Sequence, residues 1–259
     1  MIYVLKLALI AAVTVLAALL TMAIGMLDPH GKRAYRIGRF WTWFILKVTG
    51  VSVQVRGLDR IDPARGYIFI ANHQSNIDIP VLVQSLPGFQ LRWIAKKELL
   101  RVPFFGWALR ASKHITIDRA NRTEAARSLA EAEEKLRAGI SIVVFPEGTR
   151  SRTGALLPFK RGGFVLAVQT GTPIVPVTIN GTGALLPAGA WRVRPGPVEV
   201  VIGEPVSAKR RVGAIRSLMA EVRAEIEKNL RPPPDKEVSA VPRRHPMEPL
   251  AGSSVRKAR

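Results

Sequence analysis

The chain has no cysteine among its 259 residues, which excludes disulfides, thiolate metal sites and a cysteine nucleophile. Histidine is scarce as well. There are four, so a three-histidine zinc site would use nearly all of them. Acidic residues are the third shortage: 19 Asp and Glu stand against 39 Lys and Arg, a formal net charge of +20. What is plentiful is apolar residue, at 47% of the chain, with a slightly positive mean hydropathy. A chain of this length holds one sizeable domain and little else. Being basic and greasy at once, it suits a partner that is anionic and apolar together, and an anionic membrane surface is both. Nucleic acid would account for the charge alone and leaves the apolar excess without a purpose.

The first long apolar run, uncharged from Leu7 to Leu27, reaches about 30 Å as a helix, enough to cross a hydrocarbon core. It exceeds an ordinary signal-peptide core and has only Lys6 before it, which favours an uncleaved anchor. Lys32, Arg33, Arg36 and Arg39 follow at spacings that share one helical face. Phe40, Trp41, Trp43 and Phe44 come next, the composition of an interfacial helix. The basic cluster after Leu27 predicts that the rest of the chain stays on the cytoplasmic side of the inner membrane. The run is compatible both with spanning the bilayer and with lying in one leaflet.

From residue 51 onward, strand-like and helix-like stretches alternate. Val51–Arg56, Tyr67–Ala71, Leu91–Ala95, His114–Asp118, Ile140–Phe145, Ile174–Ile179 and Val198–Ile202 are short and apolar or β-branched, as in strands covered on both faces. Asn121 with Glu124 forms a capping pair, Leu129, Ala132 and Leu136 mark one helical face, and Gly139 suits the C-terminal end. Ser207–Leu230 reads as a further long helix. The pattern predicts a single α/β domain, with a mixed, largely parallel sheet flanked by helices, over residues 51–230. Residues 1–50 form the membrane-associated segment, and the proline- and arginine-rich residues 231–259 a disordered basic tail.

Two stretches carry chemistry. In Asn72-His73-Gln74-Ser75-Asn76-Ile77-Asp78, directly after a predicted strand, His73 is placed to take a proton and Asp78 to fix its tautomer. A histidine five positions before an aspartate is a short pattern that also arises by chance as a capping Asp near a surface His. In Phe145-Pro146-Glu147-Gly148-Thr149-Arg150-Ser151, Gly148 permits a tight turn, Thr149 supplies a hydroxyl and Arg150 a planar fork for phosphate.

Together these blocks resemble those of the glycerolipid acyltransferase family, especially its bacterial 1-acyl-glycerol-3-phosphate acyltransferase branch. Ala95–Leu99 and Pro103–Trp107 are similar to the segment that links the blocks, Ile117-Asp118-Arg119 to the end of a second block, and Ile174-Val175-Pro176-Val177 to a fourth. The second block departs from the pattern: Lys113 stands where glycine is usual, with His114 and Thr116 at small or apolar positions. The resemblance covers residues 55 to 205. It implies transfer of an acyl group from acyl-CoA or acyl carrier protein, a substrate and not a bound cofactor, to the hydroxyl of a lysophospholipid. His73 is then the general base and Asp78 its orienting partner, with no metal. Glu147, Gly148, Thr149 and Arg150, with Arg119, form the expected phosphate-binding set. Trp93, Phe104, Phe105 and Trp107 are the candidates for an acyl channel. A phosphate-free acceptor such as a lyso-ornithine lipid, glycerol-3-phosphate as acceptor, a binding protein for membranes or nucleic acid, and an inactive scaffold are the competing expectations.

Overall fold

The computed structural model describes residues 2–117, 122–209 and 213–232. Two long helices, α1 (Ile2–Gly25) and α2 (Lys32–Thr49), precede an α/β body. The strands are β1 (Val51–Arg56), β2 (Ile68–Ala71), β3 (Leu91–Lys96), β4 (Ile115–Ile117), β5 (Ser141–Val144), β6 (Ile174–Asn180) and β7 (Gly196–Ile202). Between them lie α3 (Asp78–Ser85), α4 (Phe105–Ala111), α5 (Arg122–Arg137), α6 (Gly162–Thr170) and the one-turn α7 (Thr182–Leu185), and α8 (Ile215–Asn229) follows the sheet.

All seven strands among the described residues join one sheet in the order β1-β7-β6-β2-β5-β3-β4. Every neighbouring pair is parallel except β6 and β7, so β1 and β7 run against the other five. The predicted mixed, largely parallel sheet is therefore present. Alternation along β2 explains the two layers of core. Phe69 and Ala71 face one side, with Val81 and Leu82 of α3, Leu86 just after it, and Tyr35 and Leu46 of α2. Ile68 and Ile70 face the other, with Ala132 and Leu136 of α5, Phe164 of α6 and Val222 and Ile226 of α8. α8 starts later than the predicted Ser207: Val206 still bridges to Ile174, and Gly213 takes a left-handed turn (φ 89°) just ahead of the helix. The tail beyond Pro232, Asn121 of the capping pair, and Asp118 and Arg119 lie outside the described residues.

The N-terminal pair is built onto this body. Almost all of α1 is apolar, and large side chains along it stand in the open, among them Leu5 (70% exposed), Leu16 and Leu19. Yet both of its ends touch the α/β domain. Tyr3 donates its hydroxyl to the Trp191 carbonyl, and Gly25 sits so close to α4 that a Cβ there would lie 2.8 Å from Ala111. Thr14 Oγ1 accepts the Trp41 indole N–H and ties α1 to α2, while Gln84 of α3 donates to Arg39 O and Thr42 Oγ1 of α2. Along α2, Arg36, Phe40, Trp43 and Lys47 fall on one outward stripe, opposite the buried Ala34, Tyr35, Thr42 and Leu46.

The connection between the two helices is held from beneath by an arginine with no exposed surface. Arg92, on β3, donates to the carbonyls of Leu91 and His30, both at 2.8 Å, and its guanidinium lies 5.4 Å from the centre of the Tyr35 ring. Burial pulls its pKa down to about 10, so it stays charged near neutrality. Arg92→Ala is expected to lower stability by roughly 2–4 kcal/mol, the loss of two charge-assisted hydrogen bonds and a packed stem. Limited proteolysis between residues 25 and 32 should accelerate in the variant. Unchanged cleavage there would mean that other contacts hold the hairpin.

Candidate active site

The site follows from one register. β2 and β5 lie side by side with Ile68 opposite Ile142 and Ile70 opposite Val144. The turns that leave their C-terminal ends, residues 72–77 and 145–151, therefore meet, as is usual for ligand sites in open α/β sheets. Asn72 fixes the first turn by pairing with β6 as a strand would: its Nδ2 donates to Ile179 O (2.9 Å) and its Oδ1 accepts the Ile179 N–H (2.7 Å). The two turns are then bonded to each other. Glu147 Oε1 accepts the His73 N–H at 2.8 Å, and the His73 carbonyl accepts the Ser151 N–H at 2.7 Å.

Asp78, at the start of α3, is completely buried. Its Oδ2 accepts the Gln74 N–H (2.7 Å), the Ser75 N–H (2.8 Å) and a 2.7 Å bond from His73 Nδ1. A carboxylate fixed by two backbone donors can only accept from the imidazole. That assigns the proton of a neutral His73 to Nδ1 and leaves Nε2 with a free lone pair. The ring is also held by its face, stacked on Phe145 with centroids 4.0 Å apart and planes 11° from parallel. The arrangement is a histidine locked in orientation and tautomer and able to take a proton.

His73 lines a cleft of about 420 Å³, and so do Gly148, Thr149 and Arg150. The structure thus gathers the base and part of the predicted phosphate-binding turn around one space. Two members of that set have other employment. Glu147 is buried, and it uses Oε1 on the His73 N–H and Oε2 on the Leu157 N–H (2.9 Å), which makes it a clamp between the turns. Burial raises its pKa, and the two N–H bonds oppose that rise. The Gly148 N–H donates to Phe145 O (3.1 Å) and closes a turn that needs the left-handed φ of 71°. Thr149 and Arg150 are the members of the set that face the cleft with side chains. Arg119 lies outside the described residues.

The far wall of the cleft comes from unexpected places: Ala17, Ala18 and Thr21 of α1, and Tyr35, Gly38 and Trp41 of α2. Trp93 and Phe105 line it as expected. Phe104 and Trp107 do not. They meet each other edge to face (centroids 5.1 Å), and Trp107 is 46% exposed on the outside of α4. His114, a departure from the family pattern, also lines the cleft. Its Nδ1 accepts the Trp93 N–H (3.3 Å), and burial, with Arg92 and Lys135 nearby, depresses its pKa to about 3. This second histidine is neutral and structural. Among the described residues no cluster of three or more His, Asp or Glu is placed to hold a metal ion.

Two outcomes follow from this geometry. An unfolded His114 binds a proton near pH 6.5 whereas the folded one stays neutral until about 3, so folding stability falls as pH drops between those values. His114→Asn, whose amide oxygen can accept the same N–H, should flatten the decline, by on the order of 1 kcal/mol between pH 7.5 and 5 in urea titrations. An equal decline in wild type and variant would assign it to other groups. Glu147→Gln keeps one acceptor and sets an NH2 group against an N–H. It is expected to cut kcat by up to about a hundredfold through displacement of His73, with KM for the acceptor nearly unchanged; a selective rise in that KM would return Glu147 to the substrate.

A family model described as "Acyltransferase" matches residues 52–180. The 1-acyl-sn-glycerol-3-phosphate acyltransferase of Pseudomonas aeruginosa is 40% identical over 174 residues, 66% of this chain and 65% of that protein. The enzyme of that name from Cocos nucifera is 41% identical over 140 residues, 54% of this chain and 45% of the other. The matched segment thus spans between about half and two thirds of these curated relatives. The crystal structure of the 1-acyl-sn-glycerophosphate acyltransferase PlsC from Thermotoga maritima superposes with a TM-score of 0.62 at 30% identity, covering 88% of this chain and 97% of that one. With the His73–Asp78 pair and the 145–151 turn set on one cleft inside the matched segment, the chain belongs to the acyltransferase family.

Proposed function

We propose that the protein transfers a fatty acyl group from a thioester to the free hydroxyl of 1-acyl-glycerol-3-phosphate, giving phosphatidic acid. The observation that carries this reading is the locked His73–Asp78 pair on a cleft that also presents Arg150. The names of the relatives from Pseudomonas aeruginosa and Thermotoga maritima support the choice of acceptor. Nε2 of His73 takes the proton of the acceptor hydroxyl as its oxygen attacks the thioester carbonyl carbon. Collapse of the tetrahedral intermediate breaks the C–S bond, and the imidazolium returns the proton to the departing thiolate. The acceptor supplies its own nucleophile, so no acyl-enzyme is needed. Arg150 and Thr149 bind the acceptor phosphate, and the space between Trp93, Phe105 and the N-terminal helices receives an acyl chain. Either acyl-CoA or acyl carrier protein, both acidic, suits the +20 charge of the chain.

The placement of α1 supports a monotopic attachment. A helix of this length spans about 36 Å, yet both of its ends touch the same domain. It would therefore lie along one leaflet with its exposed apolar flank in lipid, while the Arg36-Phe40-Trp43-Lys47 stripe of α2 meets anionic headgroups of the cytoplasmic side.

Acyl transfer by detergent-solubilised protein tests the proposal, with lysophosphatidic acid, lyso-ornithine lipid and glycerol-3-phosphate offered against both thioesters. His73→Ala is expected to lower kcat about 10²–10⁴-fold with little change in lipid binding. Arg150→Ala should raise KM for lysophosphatidic acid far more than it lowers kcat. Transfer confined to the phosphate-free acceptor would keep the base and remove the phosphate role of Arg150.

A further inference from the structure

The connection from α7 to β7, residues 186–195, begins at the active site and ends in the open. At its root the Leu186 carbonyl accepts the Ser75 hydroxyl at 2.7 Å, within the turn that carries His73. Arg194 N–H donates to Leu185 O (2.9 Å) and closes the neck of the loop. At its tip Trp191 is 70% exposed. The indole is nevertheless held in place. Tyr3 donates to the Trp191 carbonyl at 3.1 Å, the two rings meet edge to face with centroids 5.4 Å apart, and the Arg192 guanidinium lies 5.0 Å from the Tyr3 ring centre. The adjoining turn of α1 carries Val4 and Leu5, 68% and 70% exposed, and the exposed Lys6.

A fixed, exposed indole flanked by arginines and joined to an apolar helix matches the headgroup zone of a bilayer, where Trp and Tyr bury their rings and keep their polar edges wet. The same patch could seat a protein, but its continuity with the bare apolar flank of α1 and its cationic rim favour lipid. We infer that residues 186–195 form a second membrane contact, Trp191 entering the headgroup region of an anionic leaflet while Arg192 and Arg194 pair with its phosphates. The inference rests on the reading of α1 as a helix embedded in one leaflet. It adds a foothold on the catalytic domain itself. Because that foothold is bonded to Ser75, it fixes the height of the His73 turn above the lipid from which the acceptor arrives.

The test uses the full chain with vesicles of phosphatidylcholine alone or rich in phosphatidylglycerol, some carrying bromine on the acyl chain near the headgroup. Subtracting the emission of Trp191→Phe from that of wild type isolates this indole among the five tryptophans. Bromolipid is expected to quench the difference signal. Arg192→Gln should weaken partitioning onto the anionic vesicles about fivefold and leave partitioning onto neutral ones unchanged. Both variants should turn over short-chain, water-dispersed substrates at the wild-type rate. An unquenched difference signal, with wild type still bound, would overturn the loop contact and leave α1 as the anchor. Equal weakening of Arg192→Gln on both vesicle types would overturn the headgroup role of the arginine. Failure of wild type to bind either vesicle would remove the embedded helix and the loop contact together.

Discussion

The site depends on one buried carboxylate that joins two strand ends. Glu147 reaches across from the turn after β5 to the backbone of His73, 74 residues away in the chain, and with its other oxygen holds Leu157. A carboxylate removed from water is costly unless its oxygens are occupied by donors. Here the donors are the main-chain groups whose positions matter most, so the charge is stabilised only when both turns are in place. The cost of burial is thereby converted into positional precision: displacing His73 leaves a buried charge short of a partner. Asp78 repeats the device on a smaller scale, gathering two backbone N–H groups and the imidazole on a single oxygen.

The N-terminal helices help to build the cleft. Ala17, Ala18 and Thr21 of α1 and Gly38 and Trp41 of α2 form the wall of the cleft opposite the sheet. The exposed apolar flank of α1 and this wall of the cleft are two sides of the same helix pair. Its docking onto the body, through Arg92 and Gln84, therefore also shapes the cleft. Gly25 permits the close approach of α1 to Ala111 of α4, where a side chain would collide.

Much of the frame was legible in the sequence because its strands are nearly unbroken apolar runs, covered on both faces, and such runs are hard to read as anything else. Val51–Arg56 was legible to the residue, as was the face of α5 marked by Ala132 and Leu136. His73 and Asp78 were legible as a pair because their spacing needs only one local turn. What escaped was non-local. Glu147 sits in a motif rich in ligand-like residues, and nothing in the order of residues says that its carboxylate turns inward to a backbone amide far along the chain. Asn72 stood beside His73 with no assigned task, though its side chain completes a rung against β6. Phe104 and Trp107 were indistinguishable from Phe105 by composition; only the path of α4 separates lining from surface. The share of α1 and α2 in the cleft was invisible for the same reason, since helix packing on a sheet leaves no local signature.

The chain of bonds that fixes His73 extends beyond the two turns. Arg223 of α8 donates to the carbonyls of Leu157 and Leu156, at 2.9 and 3.2 Å, and lies over the ring of Phe159. The Leu157 N–H is one of the two donors on Glu147, and the His73 N–H is the other. A residue on α8 is thus three bonds from His73, through a segment, 151–161, with no helix or strand of its own. Much of this loop is exposed rather than buried in the core. It can still be held rigid if its carbonyls are gripped from behind by a cation and its amides from within by an anion. The opposed charges of Arg223 and Glu147, on either side of one peptide, give that segment a fixed shape.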